Sequence, residues 1–181
     1  MTPNRTTPRV RLRDVTLADA DLLDDWRRET RRQGGFNDFG RDPEPLDREL
    51  LSKGPLRSET RGVLIVERIA DGAPLGSISW HQVDSYGPVP ESAAWNIGIE
   101  LVPEARGLGY GTEAQRQLAD HLFGTTPVNR VEATTDIENL AEQRSLGKAG
   151  FTREGVLRGA QFRAGAFHDL VVYSRLRGDP D

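Results

Sequence analysis

Residues 96–114, which read NIGIELVPEARGLGYGTEA, constrain the fold more than any other part of the chain. Ile97, Ile99 and Leu101 alternate with more polar residues, which is the period-two pattern of a β-strand. Pro103 has no amide hydrogen to give to a neighbouring strand, so the strand is predicted to end there. Apolar residues then recur at helical spacing. The segment is therefore predicted to form a strand, a glycine-rich turn and an amphipathic helix.

Three glycines, Gly107, Gly109 and Gly111, stand at alternate positions of this turn. Glycine lets the backbone approach a ligand closely, and successive amide groups in such a turn point in one direction. The start of a helix adds a partial positive charge. The turn is therefore predicted to bind a phosphate or pyrophosphate. The alternative interpretation is a tight strand-to-helix connection that needs glycine only for its geometry.

Two other kinds of phosphate-binding loop fit this turn less well. A Walker-type loop ends in Gly-Lys-Ser or Gly-Lys-Thr, and no lysine occurs in the turn. In a dinucleotide-binding fingerprint Asp136 would bind the ribose, but Thr112 stands where the third glycine belongs. Such a unit also belongs near the start of its domain. A dinucleotide-binding protein stays an alternative, and it would bind NAD.

The spacing Arg106-x-x-Gly109-x-Gly111 resembles the acyl-CoA motif of the GNAT superfamily of N-acetyltransferases. In that family the amides of the loop bind the CoA pyrophosphate, and the strand before it pairs with the pantetheine amides. The resemblance therefore implies acetyl-CoA as the acyl donor. It implies that the pyrophosphate is bound by Arg106, Gly107, Leu108, Gly109, Tyr110, Gly111 and Thr112. It implies that the pantetheine is bound by Ile99, Leu101 and Val102.

A second stretch, residues 139–151, resembles the other motif of the same superfamily. It contains Asn139, then Arg144, then Lys148-Ala149-Gly150-Phe151. In that family the asparagine contacts the cofactor near the pantetheine or its sulfur, so Asn139 and Arg144 are expected at the cofactor. The opening Arg-Leu-Arg with an acidic helix after it resembles the RimJ/RimL branch, which includes N-terminal ribosomal-protein acetyltransferases. The resemblance covers residues 10–176.

The resemblance implies an α+β fold with a mixed, mostly antiparallel central sheet of about seven strands, about four helices, and splayed central strands that hold acetyl-CoA. The residue pattern agrees with this expectation. Further strands are predicted at residues 10–13, 62–68, 74–80, 128–135 and 168–176, and further helices at 16–26, 45–53 and 137–149. The length predicts a single domain over residues 9–177, with a flexible N-terminus at 1–8 and a tail at 178–181.

Composition argues against several other function classes. No apolar run approaches the roughly 20 residues of a membrane helix, and residues 1–7 lack a signal-peptide pattern. The protein is therefore predicted to lie in the cytoplasm and to have no membrane partner. A net charge of −4 without a basic block gives no general attraction to nucleic acid. The chain has no cysteine, which excludes thiol nucleophiles, and its 3 histidines are widely separated, so no metal site is predicted.

Amine acetylation needs a base for the amine and a stabiliser for the thioester oxygen. Backbone N–H groups near Ile99 are predicted to stabilise the oxyanion. Three side chains are the catalytic candidates: Glu100, Asn96 and His81. Asn96 stands where many relatives carry a glutamate, and it can orient an amine or a water. A glutamate at a strand end, such as Glu100, is more often a solvated or paired surface group, and His81 is equally often a packed, hydrogen-bonded side chain.

The proton donor to the leaving thiolate is less clear from the sequence. Many relatives carry a tyrosine seven residues after the asparagine, and Leu146 stands there. RimL-like relatives carry a serine three residues after it, and Glu142 stands there. Ser145 is predicted to turn away from the sulfur. Tyr110 is predicted to be structural, and Tyr173 remains open. Water is therefore predicted to protonate the thiolate.

The segment between the first two strands forms one wall of the acceptor site in this superfamily. The resemblance thus implies acceptor contacts at Phe36, Asn37, Asp38 and Phe39, although a solvated loop pinned by its aromatics fits equally well. Further acceptor candidates are Trp80, Asp84 and Trp95, with core packing as the alternative for the tryptophans. The acceptor is predicted to be a small-molecule amine or a peptide N-terminus, and a homodimer is expected by analogy alone.

Two functions follow from these patterns. One is an acetyl-CoA-dependent N-acetyltransferase in which a primary amine attacks directly in a ternary complex. The other is a non-catalytic acyl-CoA-binding sensor or scaffold of the same fold. The departures at Leu146 and Glu142 favour the second, and the intact glycine-rich turn fits both.

Overall fold

The computed structural model describes residues 7–33, 35–39, 44–84 and 86–180, with the backbone alone for 30–33. The strands in this part of the chain are β1 (Val10–Asp14), β2 (Arg61–Arg68), β3 (Pro74–Val83), β4 (Ala94–Leu101), β5 (Arg130–Asp136), β6 (Thr152–Arg163) and β7 (Ala166–Leu176). The α-helices are α1 (Ala20–Gln33), α2 (Arg48–Ser52), α3 (Tyr110–Thr125) and α4 (Leu140–Lys148). The predicted α+β fold is confirmed.

The strands form one sheet in the order β1-β2-β3-β4-β5-β7-β6. All neighbours are antiparallel except β4 and β5, which are parallel. β4 pairs with β5 only from Ala94 to Asn96. Beyond that point β4 stays paired with β3 as far as Leu101, and β5 stays paired with β7 as far as Asp136. The two central strands therefore splay apart and leave a cleft between their C-terminal halves.

The sheet is covered on both faces because successive strand residues point to opposite sides. On β2, Leu64 and Val66 join the main core with Leu118 of α3. Ile65, which lies between them, packs with Leu23 of α1 in a second cluster. Helices α3 and α4 thus lie on one face and α1 and α2 on the other.

Several element boundaries differ from the sequence-based prediction, each for a local reason. Helix α4 begins after Asn139 because the side chain of Asn139 accepts a hydrogen bond from the N–H of Glu142 at 3.3 Å and caps the helix. Helix α2 begins after Asp47, which caps it in the same way. Strand β3 extends beyond its predicted end because it pairs with β4 as far as Val83. Helix α1 runs from Ala20 to Gln33, so it continues seven residues beyond its predicted end at residue 26.

Gly76 holds β3 and β4 together beside the cleft. It pairs with Leu101 at the end of β4, and its φ is 153°. A Cβ atom at this position would overlap the carbonyl oxygen of Glu100. We expect Gly76→Ala to lower the free energy of unfolding by at least about 2 kcal/mol, because the backbone of β4 must move to accept the methyl group. Urea denaturation measures the change.

Gly124 provides the matched control for this substitution. It lies in α3, and a Cβ there would meet nothing within 4 Å. Gly124→Ala should raise the free energy of unfolding by up to about 1 kcal/mol, since glycine weakens a helix interior. A Gly76→Ala protein as stable as the wild type would contradict the close contact between β3 and β4.

Candidate active site

The glycine-rich turn has the backbone conformation that glycine adopts most readily. Gly107 and Gly109 have φ values of 72° and 84°, in the left-handed region. Gly109 caps the N-terminus of α3, a helix of 16 residues. The first N–H groups of such a helix have no partner within it and carry its partial positive charge. The predicted strand, turn and helix are confirmed, and the turn has the form of an anion-binding loop.

Gly111 brings this helix close to the rest of the site. A Cβ on Gly111 would lie 3.4 Å from the side chain of Leu101 and 3.7 Å from Oγ of Ser145. The first turn of α3 therefore packs against both β4 and α4. Arg106 closes the other end of the turn, because its Nε donates a hydrogen bond to the carbonyl oxygen of Leu101 at 2.9 Å.

Arg9, which lies just before β1, anchors the outer side of the turn. Its Nη1 donates to the carbonyl oxygen of Leu108 at 3.0 Å, and its guanidinium lies 5.0 Å from the ring centroid of Tyr110. Its backbone N–H donates to Glu113 of α3 at 2.7 Å. The sequence does not predict a role for Arg9, since a single arginine before a strand has no distinctive pattern.

The cleft between β4 and α4 has a volume of about 350 Å³. It is bounded by β4, the glycine-rich turn, the first turns of α4 and the segment that follows α1. The residues that line it are Phe36, Asn37, Ile99, Glu100, Leu101, Arg106, Gly107, Asn139, Ala141, Glu142 and Ser145. A smaller pocket beside it shares Glu100, Leu101 and Arg106 and extends along Val102 to Trp26 of α1.

The structure brings five of the twelve predicted cofactor residues together at this cleft: Ile99, Leu101, Arg106, Gly107 and Asn139. Leu108 of the turn is exposed and is not among the lining residues. Arg144 is exposed on α4 and is not among the lining residues. Its position gives no support to a contact with the cofactor.

The three catalytic candidates are not brought together. Glu100 lines the cleft. Asn96 lies at its closed end, where it pairs with His81 of β3 on one side and with Glu132 of β5 on the other. His81 is exposed and lies outside the cleft, because the sheet opens on the β5 side of β4 and not on the β3 side. Glu100 is therefore the predicted base that the geometry favours.

The acceptor candidates divide in the same way. Phe36 and Asn37 line the cleft, while Asp38 and Phe39 follow them without lining it. Trp80 and Trp95 are only 6% and 4% exposed and belong to the main core. The indole N–H of Trp95 donates to Thr126 at 3.1 Å, so its polar group is satisfied internally.

The remaining acceptor candidate lies away from the cleft as well. Asp84 is exposed after β3 and accepts a hydrogen bond from Gln82. The two tryptophans therefore serve core packing, which is the alternative that the sequence leaves open for them. Of the predicted acceptor residues, Phe36 and Asn37 are the two that line the cleft.

Arg163, near the turn between β6 and β7, holds this acceptor segment in place. Its guanidinium donates to the carbonyl oxygen of Gly35 and lies 5.5 Å from the ring centroid of Phe36. It also forms a buried ion pair with Asp136 at the end of β5, beside His168. The sequence does not predict the cluster of Arg163, Asp136 and His168, since these residues come from separate strands and belong to neither of the two family motifs.

A chain of hydrogen bonds joins α3 to α4 beneath the cleft. Oγ1 of Thr112 lies 3.1 Å from Oγ of Ser145, and Ser145 donates to Oε1 of Gln115 at 3.1 Å. Nε2 of Gln115 donates in turn to Oε1 of Glu142. Ser145 and Glu142 both line the cleft, so the prediction that Ser145 turns away is not supported. Gln115 is only 1% exposed, and the chain satisfies its amide.

Glu142 is the lining residue with an altered pKa. Burial penalises its charged form and raises its pKa to about 7, although the hydrogen bond from Gln115 acts in the opposite direction. Leu146, which stands where many relatives carry a tyrosine, is fully buried. Tyr173 is buried in the main core. Glu142 is thus the group at the cleft that can exchange a proton near neutral pH.

Within the described residues, no group of His, Cys, Asp or Glu is arranged to hold a metal ion. In the same part of the chain, no helix has the length and the apolar character needed to cross a membrane.

A family model described as an acetyltransferase (GNAT) domain matches residues 9–152. The chain belongs to the GNAT acetyltransferase family. The uncharacterized N-acetyltransferase YoaA of Bacillus subtilis (strain 168) is 27% identical to it over 180 residues, which are 96% of this chain and 97% of YoaA. The predicted family is therefore confirmed. The chain is an acyltransferase, and acetyl-CoA is its acyl donor.

Two solved structures share the fold. RimL, a ribosomal L7/L12 alpha-N-protein acetyltransferase in complex with coenzyme A, has a TM-score of 0.75 at 17% identity, with 94% of this chain and 95% of RimL covered. The spermidine N-acetyltransferase of Vibrio cholerae, in complex with CoA and spermine, has a TM-score of 0.76 at 18% identity, with 94% and 97% covered.

The residues present at the cleft fit an acyl-CoA. The left-handed Gly107 and Gly109 and the start of α3 form a cradle for a pyrophosphate. The edge of β4 beyond Asn96 faces the cleft without a partner strand, so its backbone groups can pair with amides of a pantetheine. Gly111 of α3 lies between this edge and Ser145 of α4.

The anion-binding assignment of the turn can be tested with a charge at Gly109. We expect Gly109→Glu to weaken CoA binding at least about 100-fold, since a carboxylate would repel the phosphates at the N-terminus of α3. Isothermal titration calorimetry measures the affinity. Gly165→Glu is the matched control, because Gly165 also has a left-handed φ of 82° but lies in the β6–β7 turn. An unchanged affinity in Gly109→Glu would refute the assignment.

The raised pKa of Glu142 predicts a pH dependence of stability. The ordinary pKa is 4.5 and the folded-state pKa is about 7, so between these values the folded state binds more protons than the unfolded state. This group therefore makes stability fall as pH rises from 4.5 to 7. Glu142→Gln should remove this fall. The free energy of unfolding of the variant, relative to that of the wild type, should therefore rise by up to about 3 kcal/mol from pH 4.5 to pH 8. Urea denaturation at both pH values measures it.

Glu138→Gln removes a carboxyl from the exposed approach to the same helix and is the control for this measurement. We expect its stability to follow that of the wild type at both pH values. Parallel pH profiles for Glu142→Gln and the wild type would show that the carboxyl of Glu142 is not held in a buried environment.

Proposed function

We propose that this protein transfers the acetyl group of acetyl-CoA to a primary amine by direct attack in a ternary complex. The observation that carries the proposal is that donor and acceptor walls enclose one cleft. β4, the glycine-rich turn and α4 form the donor wall, and the segment of Phe36 and Asn37 forms the acceptor wall. Reactants held side by side gain much of the acceleration from proximity alone. The chain has no cysteine to form an acyl-enzyme.

Each wall has a part in this reaction. When bound, acetyl-CoA supplies an activated acetyl thioester. The turn from Gly107 to Gly111 binds the phosphates through backbone N–H groups, and the free edge of β4 orients the donor. An N–H group of that edge near Ile99 stabilises the developing oxyanion. Glu100 accepts the proton that the amine loses, directly or through a water molecule.

The acceptor is a small-molecule amine or a peptide N-terminus. RimL is named as an alpha-N-protein acetyltransferase, and the Vibrio cholerae enzyme as a spermidine N-acetyltransferase. Primary amines are the chemistry that these two acceptors share. Glu100 lines the cleft together with Phe36 and Asn37, and its negative charge favours a cationic acceptor.

The alternative that the sequence leaves open is a non-catalytic acyl-CoA-binding sensor or scaffold, and the relatives named N-acetyltransferases argue against it. The observation that favours it is Leu146, a fully buried apolar residue where many relatives carry a tyrosine. This function needs the same turn and the same donor wall. It differs from the first in requiring no acceptor and no proton transfer.

Release of free thiol from acetyl-CoA separates the two functions. The wild type is incubated with acetyl-CoA and a panel of small amines, polyamines, amine-bearing antibiotics and peptides with free N-termini. Release that depends on one class of acceptor is the result expected for the transferase. The Gly109→Glu protein is the control for contaminating activity. Saturable CoA binding without release for any amine would contradict the transferase and favour the sensor.

The role of Glu100 can be tested with the acceptor that this panel identifies. We expect Glu100→Gln to lower kcat about 100-fold at neutral pH, since the amine loses its proton acceptor. Glu104→Gln, an exposed position just after β4, is the control and should leave kcat unchanged. A pH–rate profile identical to that of the wild type would exclude Glu100 as the base.

A further inference from the structure

Glu142 lies at the cleft, yet the reaction described above gives it no part. It belongs to a row with Asn139 and Ser145 on the face of α4 that lines the cleft. Ile99 and Leu101 of β4 line the same cavity. A donor held along the edge of β4 would therefore lie against this row of α4.

We propose that Glu142 is the proton donor to the sulfur of CoA when the acetyl group leaves. This inference rests on the proposed transferase function. It replaces the prediction that water alone protonates the thiolate. The position is the one at which the sequence departs from the serine of RimL-like relatives.

The hydrogen bonds around Glu142 leave one of its oxygens available. Oε1 accepts from Nε2 of Gln115, whose own side chain is held by Ser145. Oε2 accepts no hydrogen bond from the residues that the structure describes. The carboxyl group is thus held on the α3 side through Oε1, and its residue lines the cleft.

The charges around Glu142 allow this group to carry a proton. Glu100 of β4 and Arg106 of the turn are the other charged residues that line the cleft, while Gln115 of α3 and Ser145 of α4 are neutral. The pKa of Glu142 is raised by burial and lowered only by the bond from Gln115. A carboxyl with a pKa of about 7 is protonated in a large fraction of molecules at neutral pH.

The other hydroxyl groups near the cleft are less able to serve. Ser145 donates its proton to Gln115 and contacts Thr112. Tyr173 is buried in the main core, and the ring of Tyr110 lies under Arg9 on the outer side of the turn. Glu142 is therefore the acid that the described residues offer to the donor side of the cleft.

In this step the amine loses one proton and the sulfur gains one. The amine nitrogen forms a C–N bond with the acetyl carbon, the C–S bond breaks, and its electron pair stays on the sulfur. Glu142 gives its proton to that sulfur, and the product is the thiol of CoA. The surplus proton of the amine passes to Glu100 and then to water. Glu142 regains a proton from water that enters the open cleft.

The first test is the ionisation of the CoA thiol in its binary complex, which needs no acceptor. The ultraviolet absorbance of the thiolate is followed against pH, with desulfo-CoA as the blank. Ionised Glu142 beside the sulfur disfavours the thiolate, so in Glu142→Gln the pKa of the bound thiol should fall by about one unit. Glu138→Gln is the matched control and should behave like the wild type. Identical thiol titrations in Glu142→Gln and the wild type would overturn the proposal.

The second test uses the acceptor class found with the wild type. Glu142→Gln should lower kcat about 100-fold with little change in the affinity for CoA. The fall of the wild-type rate at high pH, where Glu142 loses its proton, should disappear. If the wild type acetylates amines and Glu142→Gln has the same pH–rate profile, the role of Glu142 is refuted while the transferase function stands. A shifted thiol titration without acetylation of any amine would refute the transferase function and place Glu142 beside the sulfur.

Discussion

The early end of pairing between β4 and β5 is the feature on which the rest of the structure depends. After Asn96 the two strands part, although each keeps its other neighbour. A strand edge inside a sheet normally finds a partner, because unpaired backbone groups that are removed from water cost free energy. Here the edge of β4 faces a cleft and stays available to the amides of a bound molecule. The splayed strands thus create a binding site from ordinary sheet geometry.

The other parts of the site are arranged around this opening. Gly107 and Gly109 turn the chain so that α3 begins at the mouth of the cleft, and Gly111 allows it to pack against β4. Hydrogen bonds through Gln115 then fix the inner face of α4. On the opposite side, Arg163 ties the acceptor segment to the end of β5. The proposed donor and acceptor walls are therefore held by separate contacts.

The sequence predicts the parts of the site that depend on local backbone geometry. The glycine-rich turn requires φ values that other residues avoid, and its spacing reveals it. The sequence does not predict contacts between distant segments, such as Arg163 with the chain at Gly35, because no periodicity links them. From the sequence alone, Trp80 fits both the core and the acceptor site. The packing of the sheet shows that it belongs to the core. The altered pKa of Glu142 is hidden for the same reason, since burial depends on the whole fold.

We propose that the acyl donor lies along the free edge of β4 and at the start of α3. The direct test of this placement is amide hydrogen exchange of the protein with and without saturating CoA. We expect slower exchange in residues 97–101, 107–113 and 139–146 when CoA is bound. Exchange in β2, on the far side of β3, should not change. Protection confined to other elements, or no protection at saturation, would refute this placement of the donor.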